Sequence, residues 1–166
     1  MISSLERERV VRLVKIDGFN LALESDEICG DKEIVMSAVK QNGLSLNYAS
    51  KELKNDKEVV LAAITEYSPS LVYASFKMKN DKEIVKYAVK SCDRTLRCAS
   101  KELRNDKEFI LDLIREFPRC LYFADFSLRT NPKLVFLVLC ESVGLPSIIE
   151  IQYYSMKDNK VWMRLA

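Results

Sequence analysis

The residues best equipped for chemistry come in sets. An Asp-Lys-Glu triplet stands at 31–33, 56–58, 81–83 and 106–108, so paired carboxylates such as Asp56 and Glu58 recur every 25 residues. Two neighbouring carboxylates can do general acid–base work. An active site, however, is one asymmetric constellation, and four equal copies are not. Five cysteines, Cys29, Cys92, Cys98, Cys120 and Cys140, lack Cys-x-x-Cys spacing, and the chain has no histidine. Without imidazole there is no histidine ligation of zinc and no Ser-His-Asp or Cys-His nucleophile. The cysteines are therefore expected to be small buried apolar residues of a protein in a reducing, cytoplasmic compartment. No catalytic residue, cofactor or metal is expected.

A second set is cationic. Lys54, Lys79, Arg104 and Arg129 stand 25 residues apart, a candidate anion-binding ladder that would suit a phosphate backbone. Each also falls where a helix closes, and positive charge there complements the helix dipole. The chain carries 26 basic and 24 acidic residues, a net charge of +2. That balance is far from a nucleic-acid footprint, so the structural role is preferred and nucleic-acid binding kept as the alternative. Lys32, Lys57, Lys82 and Lys107, between their carboxylates, are expected to be solvated.

These spacings follow from a repeat. The blocks "DKEIVMSAVKQNGLSLNYASKELKN" from Asp31 and "DKEIVKYAVKSCDRTLRCASKELRN" from Asp81 share 15 of 25 residues, and copies beginning at Asp56 and Asp106 interleave with them. A weaker copy starts at Glu6, another at Asn131, and "DNKVWMRLA", Asp158–Ala166, reads as the first helix of a further one, with Trp162 capping the stack or docking against a next repeat. The organisation expected is a divergent N-terminal capping repeat at 1–30, four regular repeats at 31–130, and a degenerate repeat plus the start of a further helix at 131–166. A chain that stops inside a new helix is expected to be a segment of a longer protein.

Each block reads as two short helices. Asn55, Asn80 and Asn105 are expected as N-caps, with Glu58, Glu83 and Glu108 three residues on completing a capping box. Val59, Val60, Ala63, Ile64 and Tyr67 form one apolar face. Gly43, Pro69, Asp93 and Pro118 break the chain at one junction. The second helix carries Leu71, Ala74 and Met78, with equivalents in every block, and the repeated alanine marks a close approach of neighbouring helices. Two helices in 25 residues cannot enclose a core alone, so the blocks must stack. The fold class expected is all-α, an α-solenoid of about six two-helix repeats.

The string D-K-E-[IV]-V-x-x-A-V-K from Asp31, ending Y-A-S-x-E-L-[KR]-N, resembles the repeat of the helical family catalogued as domain of unknown function 4116. The resemblance covers about Asp31 to Thr130, and the family's unit is close to two of these blocks. It implies an array within a larger microbial protein, some members looking like effectors that act inside host cells. It supplies no catalytic residue.

The blocks alternate in one respect. Val72, Tyr73 and Phe76, then Tyr122, Phe123 and Phe126, occupy places that the intervening blocks fill with Asn47, Tyr48, Lys51 and Arg97, Cys98, Lys101. On a regular helix these lie opposite Leu71, Ala74 and Met78. Either paired repeats bury them against each other, which is preferred, or they line a groove for a partner's helix or peptide. Phe76 and Phe126 are the expected exposed anchors, because a position that accepts Lys51 or Lys101 is rarely buried. The function expected is a non-catalytic protein or peptide interaction module, monomeric and without membrane insertion. Its longest apolar run, Lys133 to Cys140, is far below the roughly 20 residues that span a bilayer, and its charged first residues are not expected to act as a signal peptide. A helical-repeat hydrolase acting through Asp or Glu ranks last.

Overall fold

A computed structural model describes residues 3–143, and no strand occurs among them. The α-helices are α1 (Ser4–Ile16), α2 (Asp26–Cys29), α3 (Lys32–Gln41), α4 (Lys57–Glu66), α5 (Phe76–Lys79), α6 (Lys82–Ser91), α7 (Lys101–Arg104), α8 (Lys107–Glu116), α9 (Phe126–Arg129) and α10 (Pro132–Val143). After each long helix from α1 to α8 runs a six-residue 3-10 helix: Gly18–Leu23, Gly43–Tyr48, Ser68–Tyr73, Asp93–Cys98 and Pro118–Phe123. A single α turn then closes each block, except that Leu53–Asn55 closes the block of α3 as a 3-10 turn. The blocks stack into an all-α repeat solenoid. Block 6–30 folds with the same three parts as its neighbours. The further helix read at Asp158–Ala166, with Trp162, lies outside the described residues.

The second helix of the repeat is thus two helices, and the division has a local cause. Ala49, Ala74, Ala99 and Ala124 end the 3-10 segment in extended backbone, with ψ between 155 and 170°. The next residue is a capping one, and it starts the closing turn. The Ser75 and Ser100 side chains accept the amides of Met78 and Leu103 at 3.3 and 3.0 Å, and Asp125 accepts that of Ser127 at 3.2 Å. A small residue followed by Ser or Asp restarts the helix there.

The caps of the long helices also lie one residue later than expected. Asp31, Asp56, Asp81 and Asp106, not the preceding Asn, are the N-caps. Asp56 accepts the amides of Glu58 and Val59 at 2.9 and 3.3 Å. A carboxylate complements the positive helix end better than an amide does. Asn80 and Asn105 instead terminate the preceding turns, near φ −102° and ψ 0°. The glutamates therefore do not form capping boxes.

What joins one block to the next begins at the backbone. The amides of Ser50, Ser75, Ser100 and Asp125 donate to the carbonyls of Cys29, Lys54, Lys79 and Arg104 in the previous block, at 2.8–3.0 Å. Ser75 Oγ and Ser100 Oγ donate to the Asn55 and Asn80 side chains at 2.7 and 2.5 Å. Asp125 cannot donate as serine does, and Ser127 Oγ supplies the bond to Asn105 at 2.9 Å.

An ion-pair ladder runs along the starts of the long helices. Arg7 reaches Asp31 at 2.8 Å, Lys32 reaches Asp56 at 2.8 Å, Lys57 reaches Asp81 at 3.7 Å and Lys82 reaches Asp106 at 2.6 Å. Arg7, Lys32 and Lys57 also pair with Glu33, Glu58 and Glu83. The lysines expected to be solvated are exposed, and Lys32, Lys57 and Lys82 also cross-link the repeats. Lys107 is the exception among the described residues, because Asn131 and Lys133 stand where its acidic partners would be. Hydrogen bonds from Arg7, Lys32 and Lys82 hold the carboxyls of Asp31, Asp56 and Asp106 below their ordinary range.

The core is one continuous row per repeat position: Ile34, Val59, Ile84 and Phe109 on the long helices, and Leu21, Leu46, Leu71, Leu96 and Leu121 on the 3-10 segments. Gly18 and Gly43 open two of those segments because the neighbouring block comes too close for a side chain. A Cβ on Gly43 would overlap the Ala63 carbonyl oxygen, and one on Gly18 would stand 2.5 Å from that of Ala38. Ser68, Asp93 and Pro118 take that place in later blocks. Accordingly α1, α3 and α4 lie close side by side, whereas α4 and α6 touch less.

This packing has measurable consequences. Gly43→Ala should lower stability by about 1–3 kcal/mol. Gly30→Ala, where the nearest atoms are 3.5 Å away, should stay within about 0.5 kcal/mol of wild type in urea unfolding. For the ladder, carboxyls held low when folded stabilise the protein above the ordinary carboxylate range near pH 4. That contribution is lost as pH falls through their lowered folded values. Asp56→Asn keeps a capping side chain but removes the charge, so its stability should fall less steeply than wild type between about pH 5 and 2. An unchanged acid limb would show that Asp56 is not one of the linked groups.

Candidate interaction surface

The 3-10 geometry decides which side chains of the second segment face out. At three residues per turn, successive positions point about 120° apart, so Leu71 faces the core, Val72 faces solvent and Tyr73 points along the flank. Leu121, Tyr122 and Phe123 repeat the pattern. Val72 and Tyr122 are 47% and 75% exposed, while Tyr73 and Phe123 are half-buried against the core beside the equivalent Tyr48 and Cys98. Phe76 and Phe126, in the restarted turn beyond the alanine, are 63% and 69% exposed.

Phe76 and Phe126 are exposed, as the lysines at their equivalent places imply, while mutual burial, preferred for the set as a whole, fails for them and for Val72 and Tyr122. It rested on one regular helix at 100° per residue; the 3-10 segment turns Val72 and Tyr122 outward, and the break at Ala74 and Ala124 turns Phe76 and Phe126 away from the core. Lys51 and Lys101 are exposed at the places equivalent to Phe76 and Phe126, as are Asn47 and Arg97 at those equivalent to Val72 and Tyr122. The outer edge of the stack thus carries, block by block, Asn47 with Lys51, Val72 with Phe76, Arg97 with Lys101, and Tyr122 with Phe126.

At the last of these the edge deepens into an apolar groove of about 430 Å³ between the Pro118–Phe123 segment, α9 and α10. Leu121, Tyr122, Phe126, Val135 and Val138 line it, with Arg129 at its rim, and the Arg129 guanidinium stands 5.8 Å from the centre of the Phe126 ring. A groove at Tyr122 and Phe126 was the alternative to burial in the sequence; the wall that Val135 and Val138 of α10 supply was not anticipated. The signal for that wall was the apolar run from Lys133 to Cys140, which in the sequence served only to exclude a membrane span.

The cation ladder is not a uniform free stripe. Lys54 is half-buried, its amine donates to the Asn47 carbonyl at 2.7 Å, and burial lowers its pKa. Lys79 and Arg104 are half-buried, and only Arg129 is exposed. Their positions at the ends of the closing turns place them next to the carbonyls that bind the following block.

The remaining polar clusters are structural. Asp93 pairs with Arg119 at 3.7 Å and Lys86 with Glu116 at 3.3 Å, across a shallow cleft between the ends of α6 and α8. Among the described residues no group of three or more cysteines or carboxylates could hold a metal ion. Nor is any described helix long and apolar enough to cross a membrane. Cys29, Cys92, Cys98 and Cys120 are free thiols. Burial raises the pKa of Cys29 and Cys98, and burial with help from Asp93 and Cys92 pushes Cys120 up to about 12.

Stacked blocks of a long helix, a 3-10 segment and a closing turn, with one exposed edge of mixed apolar and cationic side chains, define an α-solenoid repeat protein. The family model described as Domain of unknown function (DUF4116) matches residues 6–54, 31–79, 56–104 and 81–129, and the chain belongs to that family. Each match spans two blocks, and successive matches advance by one. Among curated proteins and among solved structures nothing matches the chain.

The buried thiol is directly testable. Iodoacetamide at pH 8 should leave Cys120 unmodified in the folded protein and label it after unfolding, because the thiolate is the reactive form. Peptide mapping that finds Cys120 labelled at the rate of an exposed cysteine would contradict its burial.

Proposed function

We propose that the chain is a non-catalytic interaction module that binds a protein or peptide along its outer edge. The observation that carries this reading is the exposure of Val72, Phe76, Tyr122 and Phe126 in register, two blocks apart. Large apolar side chains exposed together on a folded domain are characteristic of a binding surface. Aromatic anchors beside a groove are where binding energy concentrates. The repeated carboxylates support the same reading, since each cap Asp is committed to a helix end and, at Asp31, Asp56, Asp81 and Asp106, also to a cation of the previous block. A scaffold of this kind suits an array in a larger microbial protein, including an effector-type one, where it would supply recognition and leave chemistry to other segments.

Selection of displayed peptides on the wild-type protein, followed by titration of those recovered, tests the reading. Phe76→Ala with Phe126→Ala should weaken binding at least about tenfold. Both side chains are exposed, so stability should stay within about 0.5 kcal/mol of wild type. Undiminished affinity in the double variant would remove the aromatic edge as the site.

A further inference from the structure

The edge alternates two chemistries at the pitch of the repeat. Phe76 and Phe126 stand two blocks apart, and the block between them presents Arg97 and Lys101, both exposed. Among the described residues neither cation has a carboxylate within ion-pair distance, whereas Lys32, Lys57 and Lys82 on the long helices are all paired. The imbalance is general on this side. The 3-10 segments and closing turns within 43–55, 68–80, 93–105 and 118–130 carry ten Lys and Arg against Glu52, Asp93, Glu102 and Asp125. The surface is therefore complementary to a ligand that is acidic between two apolar groups.

Packed helical layers lie about 8–10 Å apart, so Phe76 and Phe126 are separated by roughly twice that. A peptide in polyproline II conformation rises about 3.1 Å per residue and completes a turn in three, so every third side chain faces the same way about 9.3 Å further on. Residues i, i+3 and i+6 of such a peptide would meet three successive blocks. A polyanion fits less well. Single-stranded nucleic acid carries a phosphate at every step, and here it would meet Phe76 and Phe126 at alternate blocks.

We propose that the edge binds an extended acidic peptide with an apolar residue three positions before and three positions after a carboxylate. The carboxylate lies at Arg97 and Lys101, one apolar residue at Val72 and Phe76, and the other in the groove of Tyr122, Phe126, Val135 and Val138. This rests on the interaction reading above and specifies the ligand for that surface.

The test uses the full chain and three labelled nonapeptides, Gly-Leu-Ser-Ser-X-Ser-Ser-Leu-Gly with Glu, Ser or Lys as X, titrated by fluorescence anisotropy. Wild type should prefer the Glu peptide to the Lys peptide by about tenfold or more, because like charges across an interface are rejected. Arg97→Glu with Lys101→Glu should invert that order, a gain that misfolding cannot produce. Equal affinity for the three peptides, absence of the inversion, or displacement of the Glu peptide by oligouridylate at equal concentration would each overturn the proposal. If none of the three peptides binds while display-selected peptides bind through Phe76 and Phe126, the acidic-ligand assignment falls and the interaction module stands.

Discussion

One backbone hydrogen bond per repeat sets the geometry of this solenoid. The amide that follows each alanine break donates to a carbonyl at the end of the preceding block, from Ser50 to Cys29 through to Asp125 to Arg104. Such a bond needs donor and acceptor atoms about 3 Å apart, and a bulky side chain at the break would hold the two backbones apart. Ala49, Ala74, Ala99 and Ala124 leave that room, being buried at 4–6% exposure. Because every block is tied to its neighbour at the same atom, equivalent residues of successive blocks fall into rows. The leucine row of the core and the alternating Lys51, Phe76, Lys101, Phe126 row of the outer edge are both consequences of that register.

The same economy gives the repeated carboxylates, which resemble catalytic equipment, a place in the stack. An Asp at the start of a long helix accepts amides from its own helix and receives a cation from the block before it. Each interaction alone is modest, since exposed ion pairs stabilise weakly and a cap contributes about 1 kcal/mol. Repetition along the stack makes them a specification of spacing. The cations of the ladder are consumed in this way, and those of the outer edge are not. Carboxylates and cations thus alternate along the ladder, while Arg97 and Lys101 on the outer edge have no carboxylate at ion-pair distance among the described residues, although the whole chain carries a net charge of only +2.

Where expectation and structure diverged, two local solutions of similar energy were available. Asn and Asp are both good N-caps, and in Asn-Asp-Lys-Glu either could begin the helix. The turn before decides, because it leaves Asn80 in near-helical backbone and Asp81 extended. Over six residues a 3-10 segment and an α-helix differ too little in apolar pattern to be told apart, yet their divergence in angle decides whether Val72 and Tyr122 are covered or exposed. The lysines are exposed as expected, but their pairing was not legible, since their partners lie about 25 residues away and become neighbours only on stacking.

The period, the all-α class, the family and the identity of the core rows were legible in the amino-acid sequence, because each depends on residue type at a fixed interval and on the inability of 25 residues to enclose a core. The cross-block ladder and the groove that α10 forms with Tyr122 and Phe126 were decided by tertiary structure. Each turns on where one block sits against the next. That placement comes from a close approach at Gly43 and a shared backbone hydrogen bond, neither of which exists within a single repeat.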